Sequence, residues 1–560
     1  MNVAELFVKC LENEGVEYVF GLPGEENEDL LFALDNSSIK FVPCRHEQGA
    51  SFIANVWGRL TGRAGVCLST LGPGATNLLT GVADANLDKA PVVAITAQAG
   101  LRSLHHESHQ NINIVNMYKP VTKWNTAIAS PETVTEVIRK AFKVAENEKP
   151  GATHIELSDD LAKQEVEENP EPIPVRRVRR PGPDYKAIDS AVKLLKSARH
   201  PLIIAGNGAI RKLASKHLTK FSKKYDIPVA STFMGKGSIS GKMDQSLLCI
   251  GIGFKDYVMK AVEQADLIIA VGYDVAEYDP RKWNGSRQKK IIHIDFLPAE
   301  VYYHYNADVE IVSDISGALW ELLRRLEGEQ LKFDPGWYKP VRRRILDDIK
   351  SYDLNEGDPF TIPGALNIIR EIMDDDGLVI TDVGSHKIWT ARNFPTYTPN
   401  GCIVSNGLAT MGISLPGAIA AALIDPERQV VAVMGDGCFM MNSQELETAA
   451  RLGVGFTAVV FNDFDYGLIS WKQKQSRGRS VYTSISNPDF KLYAESFGIK
   501  AYRPENLDDL RTQLAAAITS SELSLVEVRV DPSVNQGIIE KLDTYWREKN
   551  GDHRDKSRDR

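Results

Sequence analysis

Eleven short runs of aliphatic and β-branched residues punctuate this 560-residue chain, and they constrain its fold more than any other feature. They are "YVFGLPG", "GVCLST", "PVVAITA" and "THIEL", then "PLIIAG", "ADLIIAVG" and "KIIHID", then "LVITDVG", "QVVAVMG", "FTAVVFN" and "LSLVEVRV". Each is apolar on both faces, and stretches of helical period separate them. A strand apolar on both faces must be covered on both, which helices achieve on either side of a parallel sheet. The expected class is therefore α/β, with three doubly wound parallel-sheet units at 1–167, 185–326 and 357–546. The Pro- and charge-rich stretches 168–184 and 327–356 are expected to be linkers. The tail 547–560 lacks apolar residues and is expected to be disordered. The three units look like variants of one architecture.

Composition removes whole classes of function. A chain with 43% hydrophobic and 25% charged residues has a soluble globular balance. Its net charge of −8 and pI near 5.9 argue against a nucleic-acid surface or a basic membrane face. Cys10, Cys44, Cys67, Cys249, Cys402 and Cys438 show no CxxC spacing, which suggests reduced thiols, not disulfides or a zinc site. The N-terminal "MNVAELFVKCLENEG" is an amphipathic helix pattern, not a signal peptide, and no long uncharged apolar stretch occurs. The expectation is a cytoplasmic protein with no nucleic-acid or membrane partner.

"VAVMGDGCFMMNS" (431–443) sets Asp436 between two glycines at the end of an apolar run. The amides of Gly437, Cys438 and Phe439 would open the next helix, an arrangement that attracts phosphate. Asp463 closes the run "FTAVVFN", 27 residues further on. If the two runs are neighbouring strands, both carboxylates reach the strand ends where open α/β sheets bind ligands. Two carboxylates beside a phosphate require a cation between them, and hard oxygen ligands suggest Mg²⁺ or Ca²⁺.

This GDG turn, with the Asn-Asp pair at 462–463, resembles the diphosphate signature of thiamine-diphosphate enzymes. "CRHEQGASFIANVWGRLTGRAGVCLSTLGPGATN" (44–77) is similar to the pyrimidine-binding part of their acetolactate synthase and pyruvate oxidase group. "TDVGSHKIWTARNF" (381–394) is similar to the second diphosphate loop, and "NGLATMGISLPGAIAAAL" (406–423) to the segment beneath the cofactor. The motifs occur in family order across residues 3–535.

The resemblance implies a pyrimidine-binding unit at 1–167, a central Rossmann-like unit at 185–326 and a diphosphate-binding unit at 357–546. It implies thiamine diphosphate and Mg²⁺, with Asp436, Asp463 and the carbonyl of Asp465 as metal ligands. Gly384, Ser385, His386, Gly437, Cys438, Tyr466 and Gly467 would contact the cofactor, and Met411 would wedge its two rings into a V. Glu47, following the apolar "KFVPC", would hydrogen-bond N1′ of the aminopyrimidine. The resulting imino tautomer can take the C2 proton of the thiazolium. The family builds such sites between subunits, which implies a homodimer or homotetramer.

Branch assignment rests on smaller features. "GYDVAEYDPRKWN" with "IIHIDFLPAEV" resembles the flavin-independent type of acetolactate synthase, so FAD is not expected. "PLIIAGNGAIRKLA" lacks the third glycine of a dinucleotide fingerprint, where Arg211 stands, and is taken as a turn. Counting back from "PVTK", His109 and Gln110 take the place of the synthase His-Gln pair. Two residues depart from the synthase pattern. Glu25, in "PGEEN", stands where decarboxylases have Asp. Lys472, in "WKQKQ", stands where related synthases have Gln or Trp, and could pair with a second substrate carboxylate. The expected reaction joins two pyruvates after decarboxylating one. The alternative is a non-ligating decarboxylase, possibly of 2-oxoglutarate, releasing an aldehyde. A catalytically inert cofactor scaffold could lose Glu47, Asp436 and Asp463 freely, and all three are present.

Overall fold

The computed structural model describes residues 1–166, 170–176, 178–211 and 213–550. Three six-stranded, fully parallel sheets carry the fold, as the apolar runs require. The first sheet runs, edge to edge, through Lys40–Pro43, Tyr18–Gly21, Gly65–Ser69, Val92–Gln98, Ala152–Ser158 and Trp124–Ala127. The third repeats that wiring with Cys402–Val404, Leu378–Thr381, Val430–Gly435, Thr457–Asn462, Ser524–Arg529 and Lys500–Tyr502. The central sheet differs. Its order is Val309–Val312, Lys290–Asp295, Leu267–Val271, Pro201–Ala205, Val229–Ser231, Ser246–Cys249, so the chain leaves its first strand in one direction and returns in the other. The three units are thus variants of one architecture, in two strand orders. Two units share a topology and the middle one has the order typical of dinucleotide-binding sheets.

All eleven apolar runs are strands, and their interior positions are buried. The seven remaining strands, among them the apolar Ser246–Cys249 and Cys402–Val404, are only three or four residues long. Six of these seven further strands form the edges of the sheets. A run of three or four residues is too short to stand out by its period. The stretch 327–356 is not a bare linker, because Lys339–Lys350 is a helix whose Val341, Ile345 and Ile349 enter the core. The described part of 168–184 has neither helix nor strand. The last helix, Val534–Asn550, runs into the tail expected to be disordered; residues 551–560 lie outside the described ones. No described helix is long and apolar enough to cross a membrane.

Two buried junctions fix the units against each other. Helix Glu47–Thr61 of the first unit packs on helix Ser414–Ile424 of the third within one shared core. There Gly417 leaves room for Val56, since a Cβ would sit 2.8 Å from its methyl group. Around that contact Arg59 lies 2.5 Å from Asp88 and donates to the Val404 carbonyl at 2.8 Å. Asp88 also accepts the amides of Asn406 and Gly407, at 3.0 and 2.6 Å. Elsewhere Arg392 of the third unit forks onto Asp256 (2.8 Å) and Asp348 (2.5 Å), and Lys541 of the final helix also meets Asp348.

Arg392 and both its acids are buried, so removing the cation leaves Asp256 without a cationic partner and Asp348 with Lys541 alone. Arg392→Ala should cost about 3–5 kcal/mol of unfolding free energy in a urea titration. Arg392→Lys should recover part of it; an unchanged midpoint in both would mean that the junction contributes nothing.

Candidate active site

The third sheet reverses strand order between Leu378–Thr381 and Val430–Gly435, which opens a crevice at their carboxyl ends. A cleft of about 570 Å³ lies there, lined among others by Gly384, Ser385, His386, Met411, Asp436 and Tyr466. Cys438, Gly437, Asp463, Asp465 and Gly467 line it too. Gly435 is registered opposite Phe461, so Asp436 and Asp463 leave adjacent strands side by side.

The helix after the first of these strands begins at Asp436, one residue earlier than expected. As a result, the Gly437 amide donates to Asp436's own carboxylate at 2.8 Å, and Asn487 donates to its other oxygen at 2.7 Å. Burial raises the Asp436 carboxyl above its ordinary range. Burial, reinforced by the charge of Asp436, pushes Asp463 up to about 7. Neither has a cationic side chain as salt-bridge partner among the described residues. Asp465 places a buried Oδ1 without a hydrogen-bond partner at the same rim. Among the described residues no cluster of three or more His, Cys, Asp or Glu side chains could hold a metal alone. Two carboxylates that repel each other do fit a hard cation whose other ligands are carbonyl, phosphate and water oxygens.

The floor of the cleft is bare backbone. A Cβ at Gly384 would fall 2.6 Å from the His386 ring, one at Gly437 2.7 Å from the Tyr466 ring, and one at Gly467 2.4 Å from Asp463 Oδ2. His386 is buried, which holds its imidazole down at about 3, so it stays neutral. The Cys438 thiol donates to the Val383 carbonyl at 3.1 Å, and burial keeps it far from ionising.

Met411 enters the cleft on a fixed turn. Gly412 has φ +98°, a conformation that favours glycine, and its amide donates to Asp382 at 2.8 Å. Asp382 also accepts from Val383 and Ser414, while Asn442 donates to the Gly412 carbonyl at 2.8 Å. Asp382, Asn442 and Asn487 were missed in the sequence. Asp382 ends a strand just before "VG" and could have been flagged; the two asparagines carry no local signal.

The other expected residues gather at the matching rim of the first sheet. Glu47, 8% exposed, opens its helix and accepts from Asn77 at 3.1 Å. His46 caps that helix by accepting the Gln48 amide. Gln110 packs on Gly72, where a Cβ would meet it at 2.8 Å. His109 and Glu25 are exposed, and Glu26, not Glu25, binds the Thr70 hydroxyl at 2.5 Å. Glu47, Gln110, His109 and Glu25 do not line the cleft around Asp436. The expected residues therefore form two groups, one on each outer sheet. Lys472 is exposed, one helical turn beyond Leu468 and Ile469 of the cleft.

Comparison with known proteins now decides the family. Models of the thiamine pyrophosphate enzyme match in chain order: the N-terminal TPP binding domain at 1–117, the central domain at 188–322 and the C-terminal TPP binding domain at 382–528. The acetolactate synthase of Bacillus subtilis is 34% identical over 547 residues, 95% of this chain and 94% of that protein. The chain belongs to the acetolactate synthase family of thiamine pyrophosphate enzymes. The catabolic acetolactate synthase of Raoultella terrigena is also 34% identical, over 96% of this chain and 97% of its own length. A probable acetolactate synthase large subunit of Methanocaldococcus jannaschii matches at 34% over 95% of this chain and 92% of that protein.

A cation held by Asp463 would have to compete with a proton there. Burial and the charge of Asp436 push this carboxyl up to about 7, so the affinity for such a cation should rise with pH and level off above that value. Below it the loss should approach about tenfold per pH unit. Calorimetric Mg²⁺ titrations with thiamine diphosphate present would show this, and Asp436→Ala should abolish the binding. A pH-independent affinity would remove Asp463 from the ligand set.

Proposed function

We propose that this chain is a thiamine-diphosphate- and Mg²⁺-dependent acetolactate synthase that decarboxylates pyruvate and joins the product to a second pyruvate. The observation that carries the reading is the pair Asp436 and Asp463 on adjacent strand ends, above a glycine floor and beside Met411. Asp436, Asp463 and the carbonyl of Asp465 would hold the metal. Gly384, Ser385, His386, Gly437, Cys438, Tyr466 and Gly467 would line the diphosphate, with His386 neutral so that its ring adds no charge. Met411, braced through Gly412 by Asp382, would support the bent cofactor. Glu47 would share a proton with the aminopyrimidine. Bound thiamine diphosphate supplies the electron sink that lets a 2-oxo acid lose CO₂ and react as an acyl anion equivalent. Gln110, His109, Glu25 and Lys472 would face the substrate.

Glu47 lies outside the cleft of its own chain, which supports active sites shared between subunits of a homo-oligomer. All six cysteines are free and buried, which supports a cytoplasmic location. Incubation with pyruvate and with 2-oxoglutarate, with products identified by NMR, tests the reaction itself. Acetolactate from pyruvate is expected; an aldehyde alone would overturn the synthase reading.

Glu47→Gln should leave cofactor binding largely intact and slow C2 proton exchange of the bound cofactor by roughly 10²-fold or more. Unchanged exchange would remove Glu47 from the mechanism. Mixing this variant with Asp436→Ala, after reversible dissociation, should restore some activity if the two residues serve one site from two subunits.

A second reading, decarboxylation of a dicarboxylic 2-oxo acid, draws support from Lys472. Its ammonium has no salt-bridge partner among the described residues, and its charge helps burial lower the buried Lys387 to about 8. An exposed ammonium without a salt-bridge partner suits an additional carboxylate. Lys472→Gln should then lower kcat/KM for 2-oxoglutarate by about 10- to 150-fold, the range of a secluded charge-assisted bond. Pyruvate turnover should change little. Equal, weak effects on both substrates would leave acetolactate synthesis as the sole reading.

A further inference from the structure

The central sheet has its switch point between Pro201–Ala205 and Leu267–Val271. Sheets of this order hold a nucleotide diphosphate there, on the free amides of a glycine turn. In this chain the turn is Gly206-Asn207-Gly208, and none of its amides is free. Gly206 donates to the Val271 carbonyl at 3.0 Å and Gly208 to the Gly272 carbonyl at 2.9 Å. The Asn207 amide donates to both carboxyl oxygens of Glu277, at 3.1 and 3.3 Å. Thr232 fixes the same carboxyl from the other side with its hydroxyl, at 2.5 Å.

The surroundings close what Glu277 leaves. A Cβ at Gly206 would lie 2.8 Å from Glu277 Oε2, and one at Gly272 only 2.4 Å from the Gly208 Cα. The first unit covers the mouth. The Asn207 side chain donates to the Asp88 carbonyl at 2.8 Å. Lys149 reaches across the strand ends to Asp295 at 3.0 Å and Asp274 at 3.8 Å.

We propose that Glu277 occupies the phosphate position of the central unit, so that its nucleotide crevice is a latent site closed by the chain's own carboxyl. The ligand class it shuts out is the nucleoside diphosphate, including the diphosphate half of a flavin dinucleotide. Burial raises the Glu277 carboxyl to about 8, so it is largely protonated and uncharged at neutral pH. A glutamine has the same length and an accepting oxygen for the Asn207 amide, so it should keep the crevice shut. A small side chain should open it.

ADP and FAD are titrated by calorimetry into the wild type, Glu277→Gln and Glu277→Ala. Saturating thiamine diphosphate and Mg²⁺ keep the diphosphate cleft of the third unit filled, and melting curves confirm folding. The wild type and Glu277→Gln should give no saturable heat, whereas Glu277→Ala should gain ADP affinity by about tenfold or more. Should Glu277→Ala fail to fold, Glu277→Ser takes its place. Saturable binding of ADP or FAD to the wild type would overturn the proposal. So would a folded small-residue variant that still excludes ADP, because the backbone contact of Gly208 and Gly272 would then be the barrier.

Discussion

The contact between helices Glu47–Thr61 and Ser414–Ile424 sets the geometry of everything chemical in this chain. The first begins at Glu47; the second begins three residues after Met411. Their close packing fixes the first unit against the third, and Asn442 donates both to Gln48 beside Glu47 and to the Gly412 carbonyl beside Met411. Polar anchors hold both starts. Glu445, fully buried in the third unit, accepts the amides of Arg45 and His46 immediately before Glu47. Asp84 and Asp88 of the first unit accept from Ser405, Asn406 and Gly407, at the entrance to the Met411 turn. A buried acid with backbone amides as partners has few alternative geometries, which makes these anchors directional where apolar packing is not.

The same physics recurs at the strand ends. In a parallel sheet the carboxyl-terminal edge is where loops can present polar groups, since the faces are covered by helices. Asp382, Asp436 and Asp463 all leave strands of the third sheet at that edge, yet they do different work. Asp382 has three backbone amides and is a positioning group, even though burial raises it to about 6. Asp436 and Asp463 lie on adjacent strand ends with no cationic side chain as salt-bridge partner among the described residues, an arrangement that suits a cation.

The central unit shows the converse. Its strand order and glycine turn are those of a nucleotide fold, but the amides of Gly206, Asn207 and Gly208 have found acceptors within the chain. Topology alone would assign it a ligand. The hydrogen-bond accounting at Asn207 and Glu277 assigns it a closed crevice instead, with the unit tied to its neighbours through Lys149, Asn207 and Lys236. The Lys236 ammonium donates to the Ala391 and Phe394 carbonyls of the third unit, at 2.9 Å each.

The sequence by itself determined the α/β class, eleven of the twelve interior strands and the carboxylates and glycines that line the cleft of the third unit. It did so because doubly covered strands must be apolar throughout, and because a turn that meets a phosphate must be bare. It did not determine the six sheet edges or the inner strand Val229–Ser231, whose three or four residues are too few to show a period, nor the helix Lys339–Lys350 inside an apparent linker. Nor could it show that the central unit is wired differently from its neighbours, since strand order depends on crossovers that no local pattern records. Asn442, Asn487 and Glu277 were invisible for a related reason. Each acts through a partner 30 to 70 residues away, at Gly412, Asp436 and Asn207. Only folding, by bringing those backbone and side-chain groups within hydrogen-bond distance, gave these ordinary residues their roles.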